Sequence, residues 1–85
     1  MLSKLLKALS DPTRLKIVEL LKNREICACK FASLTKKAQP TVSQHLRILV
    51  DAGIIKSRKD GKNIIYSIAD KKIFDLIKIA KEISK

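Results

Sequence analysis

Leucines at positions 2, 5, 6 and 9, separated by Ser3, Lys4 and Lys7, predict a short amphipathic helix with one apolar stripe. Ser10-Asp11-Pro12 then marks a boundary, pairing a good N-cap with a proline suited to the first helical position. The helix that follows, to about Lys22, carries Leu15, Ile17, Val18, Leu20 and Leu21 around most of its circumference and reads as the central core helix. Ile26 to Thr35 has apolar or small residues at 27, 28, 31, 32 and 34 and predicts a third, short helix. Lys36-Lys37-Ala38-Gln39 is a polar turn, and Pro40 opens a fourth helix that places Val42, Leu46 and Leu49 on one face and ends at Gly53. The period then changes. Ile64, Tyr66 and Ile68 alternate with Ile65 and Ser67, and Asp60-Gly61 is a dipeptide favoured by type I′ hairpin turns. A last helix carries Ile73, Leu76, Ile77, Ala80 and Ile83.

The predicted order is therefore α-α-α-α-β-β-α, without linker, repeat or low-complexity stretch. Two short helices joined by a four-residue turn and followed by a hairpin describe a winged helix-turn-helix, mainly α, as one domain over 1–85. The helix-turn-helix falls at about 26–53 and the wing at about 54–69. A chain this short buries only about 60% to 65% of its unfolded surface. Its two terminal stripes have no obvious partner within the chain, so they are expected either to pair with a second copy or to pack on their own core.

Charge adds a partner to this picture. Nineteen Lys and Arg against eight Asp and Glu give +11 at pH 7, a self-repulsion that points to a polyanion. Nucleic acid comes first and an anionic membrane surface second. No apolar run approaches the roughly 20 residues of a membrane span, so the chain is expected in the cytoplasm and not in a membrane. With one histidine, two glycines, no phosphate-binding loop and no recognisable nucleophile–base pattern, it is not expected to be an enzyme. Phe31, Phe74 and Tyr66 are too few for base-stacking platforms, which argues against single-stranded recognition.

A step of 100° per residue sets Gln44 and Arg47 opposite the apolar face of the fourth helix, with Thr41 and Ile48 alongside. Gln suits an adenine edge and Arg a guanine edge in the major groove of double-stranded DNA, while Thr41 and Ser43 suit phosphates near a helix N-terminus. Lys36, Lys37 and Gln39 precede that helix, and Arg58, Lys59, Lys62 and Asn63 surround the wing tip, where affinity more than sequence choice is expected. Seven basic residues lie between Lys36 and Lys62 against Asp51 and Asp60, a local net charge of +5. His45 lies about 60° from the core stripe and is either a DNA contact or a half-buried histidine bonded within the motif. Ala38, before the Gln39-Pro40 pair, cannot cap and Gln39 is a poor substitute, which predicts a frayed helix start. A nonspecific architectural or RNA-binding module remains the rival reading of the charge.

The segments Leu9-Ser10-Asp11-Pro12-Thr13-Arg14-Leu15, Glu25-Ile26-Cys27-Ala28-Cys29, Gln39-Pro40-Thr41-Val42-Ser43-Gln44-His45-Leu46 and Arg58-Lys59-Asp60-Gly61-Lys62 resemble the ArsR/SmtB family, in order and at matching spacing. The resemblance implies a dimeric repressor that leaves a palindromic operator when a metal or metalloid binds. It further implies a homodimer interface on the first and last helices, here Leu2, Leu5, Leu6, Leu9, Ile73, Leu76, Ile77, Ala80 and Ile83. Two reading helices would then lie about one DNA turn, roughly 34 Å, apart.

By the same resemblance, Cys27 and Cys29 match the thiol pair of the arsenic-sensing branch, so arsenic(III) or another thiophilic ion is the implied inducer, with no resident cofactor. Soft thiolates suit such an ion. In a regular helix residues two apart point about 200° away from each other, so sharing one ion requires a distorted or unwound helix start. The family's third thiol falls on Ala32, and the acidic residue after the second cysteine is Lys30. The last helix has Asp75 and Glu82 but no histidine, which argues against the family's zinc site. Lys30 favours thiolate, which helps metalloid capture or oxidation alike, and three readings of the pair stay open: a metalloid site, a thiol redox sensor, or one or both cysteines as small buried hydrophobes.

Overall fold

The computed structural model describes residues 1–84. Helices α1 (Leu2–Leu9), α2 (Pro12–Leu20), α3 (Phe31–Thr35), α4 (Gln39–Asp51) and α5 (Lys72–Ile83) surround a small sheet of β1 (Ile26–Cys27), β2 (Ile55–Asp60) and β3 (Asn63–Ile68). The helix-turn-helix is α3 and α4, and the β2–β3 hairpin is the wing.

Local chemistry accounts for most of the element ends. Asp11 caps α2, its carboxylate accepting from the Arg14 amide at 3.0 Å, and Pro12 fills the first helical position. At the end of α4, Gly53 adopts φ +76° while its amide reaches the Val50 carbonyl at 2.9 Å and the Ile54 amide the Leu49 carbonyl at 3.0 Å. That pair of bonds is a Schellman motif, and Ile54, fully buried, is its apolar anchor. Asp70 begins α5 by accepting from the Lys72 amide at 2.9 Å.

Two local expectations are corrected. Ile26 and Cys27 are not helical: they pair antiparallel with β3, Ile26 opposite Tyr66 and Cys27 opposite Ile65, so the sheet has three strands in the order β1-β3-β2. A 3-10 turn over Ala28–Lys30 then leads into α3. The wing turn is also different. Asp60 pairs with Asn63, which leaves Gly61 and Lys62 as the loop, and only Gly61 has a positive φ, +64°. A type I′ turn needs a positive φ at both central residues, so this is the II′ pattern, with glycine at the first.

The core is one cluster built from Ala8, Leu9, Ile17, Val18, Leu21, Ile26, Phe31, Val42, Leu46, Leu49, Ile54, Ile55, Ile73 and Ile77. The terminal stripes are divided between two surfaces. Leu9, Ile73 and Ile77 belong to this core, Leu5 and Leu76 are half-buried, and Leu2, Leu6, Ala80 and Ile83 face outward. An apolar groove lies between α1 and α5, lined by Leu6, Leu9, Leu15, Leu76, Ile77 and Ala80 among others. Ile79 is a further exposed apolar side chain on α5, outside the helical stripe.

At the start of α4, Ala38 has φ −64° and ψ 147°, the extended conformation of an N-cap, and no side chain caps the helix. A serine fits that backbone without strain. Ala38→Ser is therefore expected to stabilise the free protein by about 1 kcal/mol, raising Tm by about 4 to 8 °C in a thermal melt. An unchanged Tm means that the uncapped amides lose nothing to water.

Candidate nucleic-acid interface

Helix α4 is buried along one face and exposed along the other. Val42 and Leu49 are 0% exposed and Leu46 2%, while Thr41, Ser43, Gln44, Arg47 and Ile48 point to solvent. Among the described residues no hydrogen bond ties down Gln44 or Arg47, so both side chains are available to a groove. Ser43 holds only a long contact, 3.4 Å, from the Gln39 amide group.

The turn before α4 depends on Lys36, whose φ of 58° places it in the left-handed region while its amide and that of Lys37 bond back to the Ala32 carbonyl. This closes α3 as a glycine usually would. Lys36, Lys37 and Gln39 are all exposed, in the turn and at the start of α4.

His45 stands apart from that outer row. Its side chain is 16% exposed, and Nδ1 accepts a hydrogen bond from the Arg14 guanidinium at 3.2 Å, with the Asp11 carboxylate 4.0 Å away. Arginine only donates, so the neutral ring carries its proton on Nε2. The hydrogen bond from the Arg14 amide outweighs the desolvation that opposes it and holds the Asp11 carboxyl below its usual range, with the charges of Arg14 and of His45 when protonated adding less.

In the wing, Lys59, Lys62 and Asn63 are exposed at the tip, and Arg58 lies one strand residue earlier. Arg58 is already engaged. Two of its nitrogens donate to the two carboxylate oxygens of Glu25, at 2.8 and 3.2 Å, a bidentate pair that lowers the Glu25 pKa and raises that of Arg58. Both partners are about half exposed, so the pair adds little to stability and mainly fixes where Arg58 points. Among the described residues no ion pair involves Lys36, Lys37, Arg47, Lys59 or Lys62. The basic face is left open to a polyanion.

The cysteines sit where β1 becomes the 3-10 turn. Because Cys27 is extended, with φ −66° and ψ 140°, the pair escapes the divergence of a regular helix, and the two Sγ atoms approach to 2.8 Å. A hydrogen bond from the Cys29 thiol, a second from the Cys29 backbone and the charge of Lys30 pull the Cys27 pKa down. The same sharing pushes Cys29 up, so the pair holds one proton more tightly than the other. Cys27 is half-buried and Cys29 exposed, so Cys29 is not a buried hydrophobe. Among the described residues no third His, Cys, Asp or Glu completes a metal cluster.

Sequence reasoning misses Arg14 and Glu25 as parts of this surface. Arg14 does carry a signal. It lies in the first turn of α2, where the helix dipole disfavours a cation, so its presence implies an acceptor elsewhere.

Residues 11–57 match the family described as bacterial regulatory protein, arsR family. The chain is 45% identical over 82 residues to a helix-turn-helix-type transcriptional regulator of Methanocaldococcus jannaschii, covering 95% of this chain and 92% of the relative. It is 43% identical over 67 residues to the arsenical resistance operon repressor of Staphylococcus xylosus, covering 79% of this chain but 64% of that longer protein. Among solved structures, the homodimeric winged helix-turn-helix DNA-binding domain Mb0332 of Mycobacterium bovis matches with a TM-score of 0.86 at 26% identity, over 98% of this chain and 77% of that one.

The unequal thiols supply a test that needs no ligand. Alkylation of Cys27, followed by mass spectrometry against pH, is expected to rise through a midpoint below that of an ordinary thiol, because the reactive thiolate forms early. Cys29→Ala removes the donor and is expected to move that midpoint upward. Identical profiles in the two proteins mean that the sulfurs do not share a proton.

Proposed function

The chain belongs to the arsR family of bacterial regulatory proteins, and from that premise we propose that two copies bind one palindromic stretch of double-stranded DNA as a transcriptional repressor. Its class is that of DNA-binding transcriptional regulators, not of enzymes. The observation that carries the reading is the division of α4 into a sealed face and an unengaged row of Thr41, Gln44 and Arg47, flanked by the uncompensated lysines of the turn and the wing. Gln44 and Arg47 are assigned to base edges. Lys36, Lys37, Gln39, Thr41 and Ser43 are assigned to phosphates near the start of α4, and Lys59, Lys62 and Asn63 to the neighbouring groove or backbone. Arg58 reaches DNA by sharing or leaving Glu25.

Dimerisation is assigned to α1 and α5. Leu6, Leu76 and Ala80 line the apolar groove between those helices, while Leu2 and Ile83 are exposed and Leu5 half-buried on the same two helices. Leu9, Ile73 and Ile77 support it from within. The M. bovis domain, itself homodimeric, supports a two-fold assembly.

Base and phosphate contacts separate in a binding assay. With a palindrome selected from random duplex DNA, Arg47→Ala is expected to cost about 1 to 3 kcal/mol of discrimination at one base pair per half-site. Lys62→Gln is expected to weaken all sequences alike and to reduce the slope of log affinity against log salt by about 0.9 for each phosphate that it leaves unneutralised. Equal affinity of the wild type for unrelated duplexes at moderate salt overturns the repressor reading in favour of an architectural protein.

The convergence of the sulfurs supports one addition: Cys27 and Cys29 hold a thiophilic ion such as arsenic(III), and holding it weakens the grip on DNA. The donor set fits this ion class. Two thiolates match a soft ion that tolerates an open position and leave tetrahedral zinc two ligands short. Arsenite added to the protein–DNA complex is expected to lower DNA affinity by about 10-fold or more in the wild type and not in Cys27→Ser, read by fluorescence anisotropy. Unchanged affinity in the wild type removes the inducer and leaves the DNA assignment standing.

A further inference from the structure

Arg14 leaves its own helix to join two others. Nε donates at 2.6 Å to the Ala8 carbonyl, an acceptor that the end of α1 leaves free, and a terminal nitrogen donates at 3.3 Å to the Lys7 carbonyl, which also accepts from the Ser10 amide and hydroxyl. The other terminal nitrogen donates to His45 Nδ1 on α4 at 3.2 Å. The Asp11 carboxylate accepts from the Arg14 amide and lies 4.0 Å from the same imidazole nitrogen. A planar group with donors in a rigid fork thus spans α1, α2 and α4.

We infer that Arg14 is a positioning residue that sets the direction of α4 against α1, and through it the separation of the two reading helices on DNA. The inference rests on the dimeric reading above, which places α1 beside the two-fold axis. Geometry makes the requirement sharp. Helix α4 has 13 residues and is about 20 Å long, so a tilt of about 10° displaces its far end by about 3.4 Å, the rise of one base pair. The apolar face of α4 resists lifting but restrains such a tilt less, since side chains slide along a packed surface more readily than they leave it. A hydrogen-bonded fork anchored to the end of α1 resists the tilt directly. His45 serves as its acceptor, which explains a half-buried imidazole on a helix whose other polar residues face outward.

The test compares half-site spacings. Palindromes selected by the wild-type protein from random duplex DNA are remade with one base pair added to or removed from the centre. Wild type is expected to bind the altered spacings at least about 10-fold more weakly than the selected one. Arg14→Lys keeps the charge but cannot reach the acceptors on both helices, and it is expected to narrow that ratio to about twofold. His45→Asn places an amide oxygen close to the position of Nδ1 and is expected to keep the ratio, while His45→Leu is expected to narrow it. Melting temperature and sedimentation confirm that each variant is a folded dimer. A variant that loses affinity uniformly while keeping the wild-type spacing ratio assigns Arg14 to stability alone and overturns the inference. A pool from which wild type selects no two-fold symmetric site removes the dimeric reading, and the inference with it.

Discussion

Val42, Leu46 and Leu49 are withdrawn from water in the same cluster as Ile17, Val18, Leu21 and Phe31, and the solvent-facing row of α4 takes its direction from that burial. Truncating a buried leucine to alanine costs about 2 to 5 kcal/mol, against about 5 to 15 kcal/mol of total stability in a domain. Local preference supplies little by comparison. Helix α4 is uncapped, opens with Gln39-Pro40-Thr41 and contains three more β-branched residues, a sequence that would hold only marginally as an isolated helix. Packing against α2 and α3 therefore holds it. That division frees the outer face: Thr41, Gln44 and Arg47 need satisfy no structural demand, and their chemistry is set by what they touch.

The same division explains what can be read along the chain. The starts and stops carried by Asp11, Pro12 and Gly53 are local, and the structure places α2 and the end of α4 where those residues imply. Ile26 and Cys27 escape such a reading because two residues have no period, and their strand character comes from Tyr66 and Ile65, about 40 residues away. The wing turn falls one residue later than the dipeptide implies because the Asp60–Asn63 pair closes the ladder around Gly61-Lys62, a matter of register and not of dipeptide preference. On α1 and α5 a stripe announces an apolar face without saying what covers it. Leu9, Ile73 and Ile77 are covered by this chain, and Leu2, Leu6 and Ile83 are not. The Arg14–His45 and Glu25–Arg58 contacts span 31 and 33 residues and leave no periodic trace.

Electrostatics and packing divide the labour between affinity and order. A net charge of +11 destabilises the compact state of the free protein, and only three ion pairs among the described residues oppose it, one of them dependent on His45 being charged. Two of these pairs act on the surface proposed to meet DNA. Glu25 fixes a wing arginine, and Asp11 stands beside the Arg14–His45 contact. Their worth lies less in stability than in restricting where long side chains point. The lysines of the turn and the wing tip have no such restraint.

The segment from Glu25 to Phe31 is where these two systems meet. Glu25 holds Arg58, Ile26 and Cys27 are paired to β3, and Phe31, fully buried, packs edge-on against Tyr66 with ring centroids 6.0 Å apart. Both ends of the segment are therefore pinned, one to the wing and the other to the wing and the core beneath α4. Between them lie the two sulfurs and the 3-10 turn Ala28–Lys30, with no buried side chain of its own. A change in the distance between Cys27 and Cys29 meets little resistance within the turn but is opposed at Ile26 and Phe31, where burial and pairing hold. Strain introduced at the thiols accordingly appears at those two anchors. The wing is tied to the segment through β1 and Tyr66, and the core beneath α4 through Phe31, so both halves of the surface proposed to meet DNA are anchored to the same seven residues.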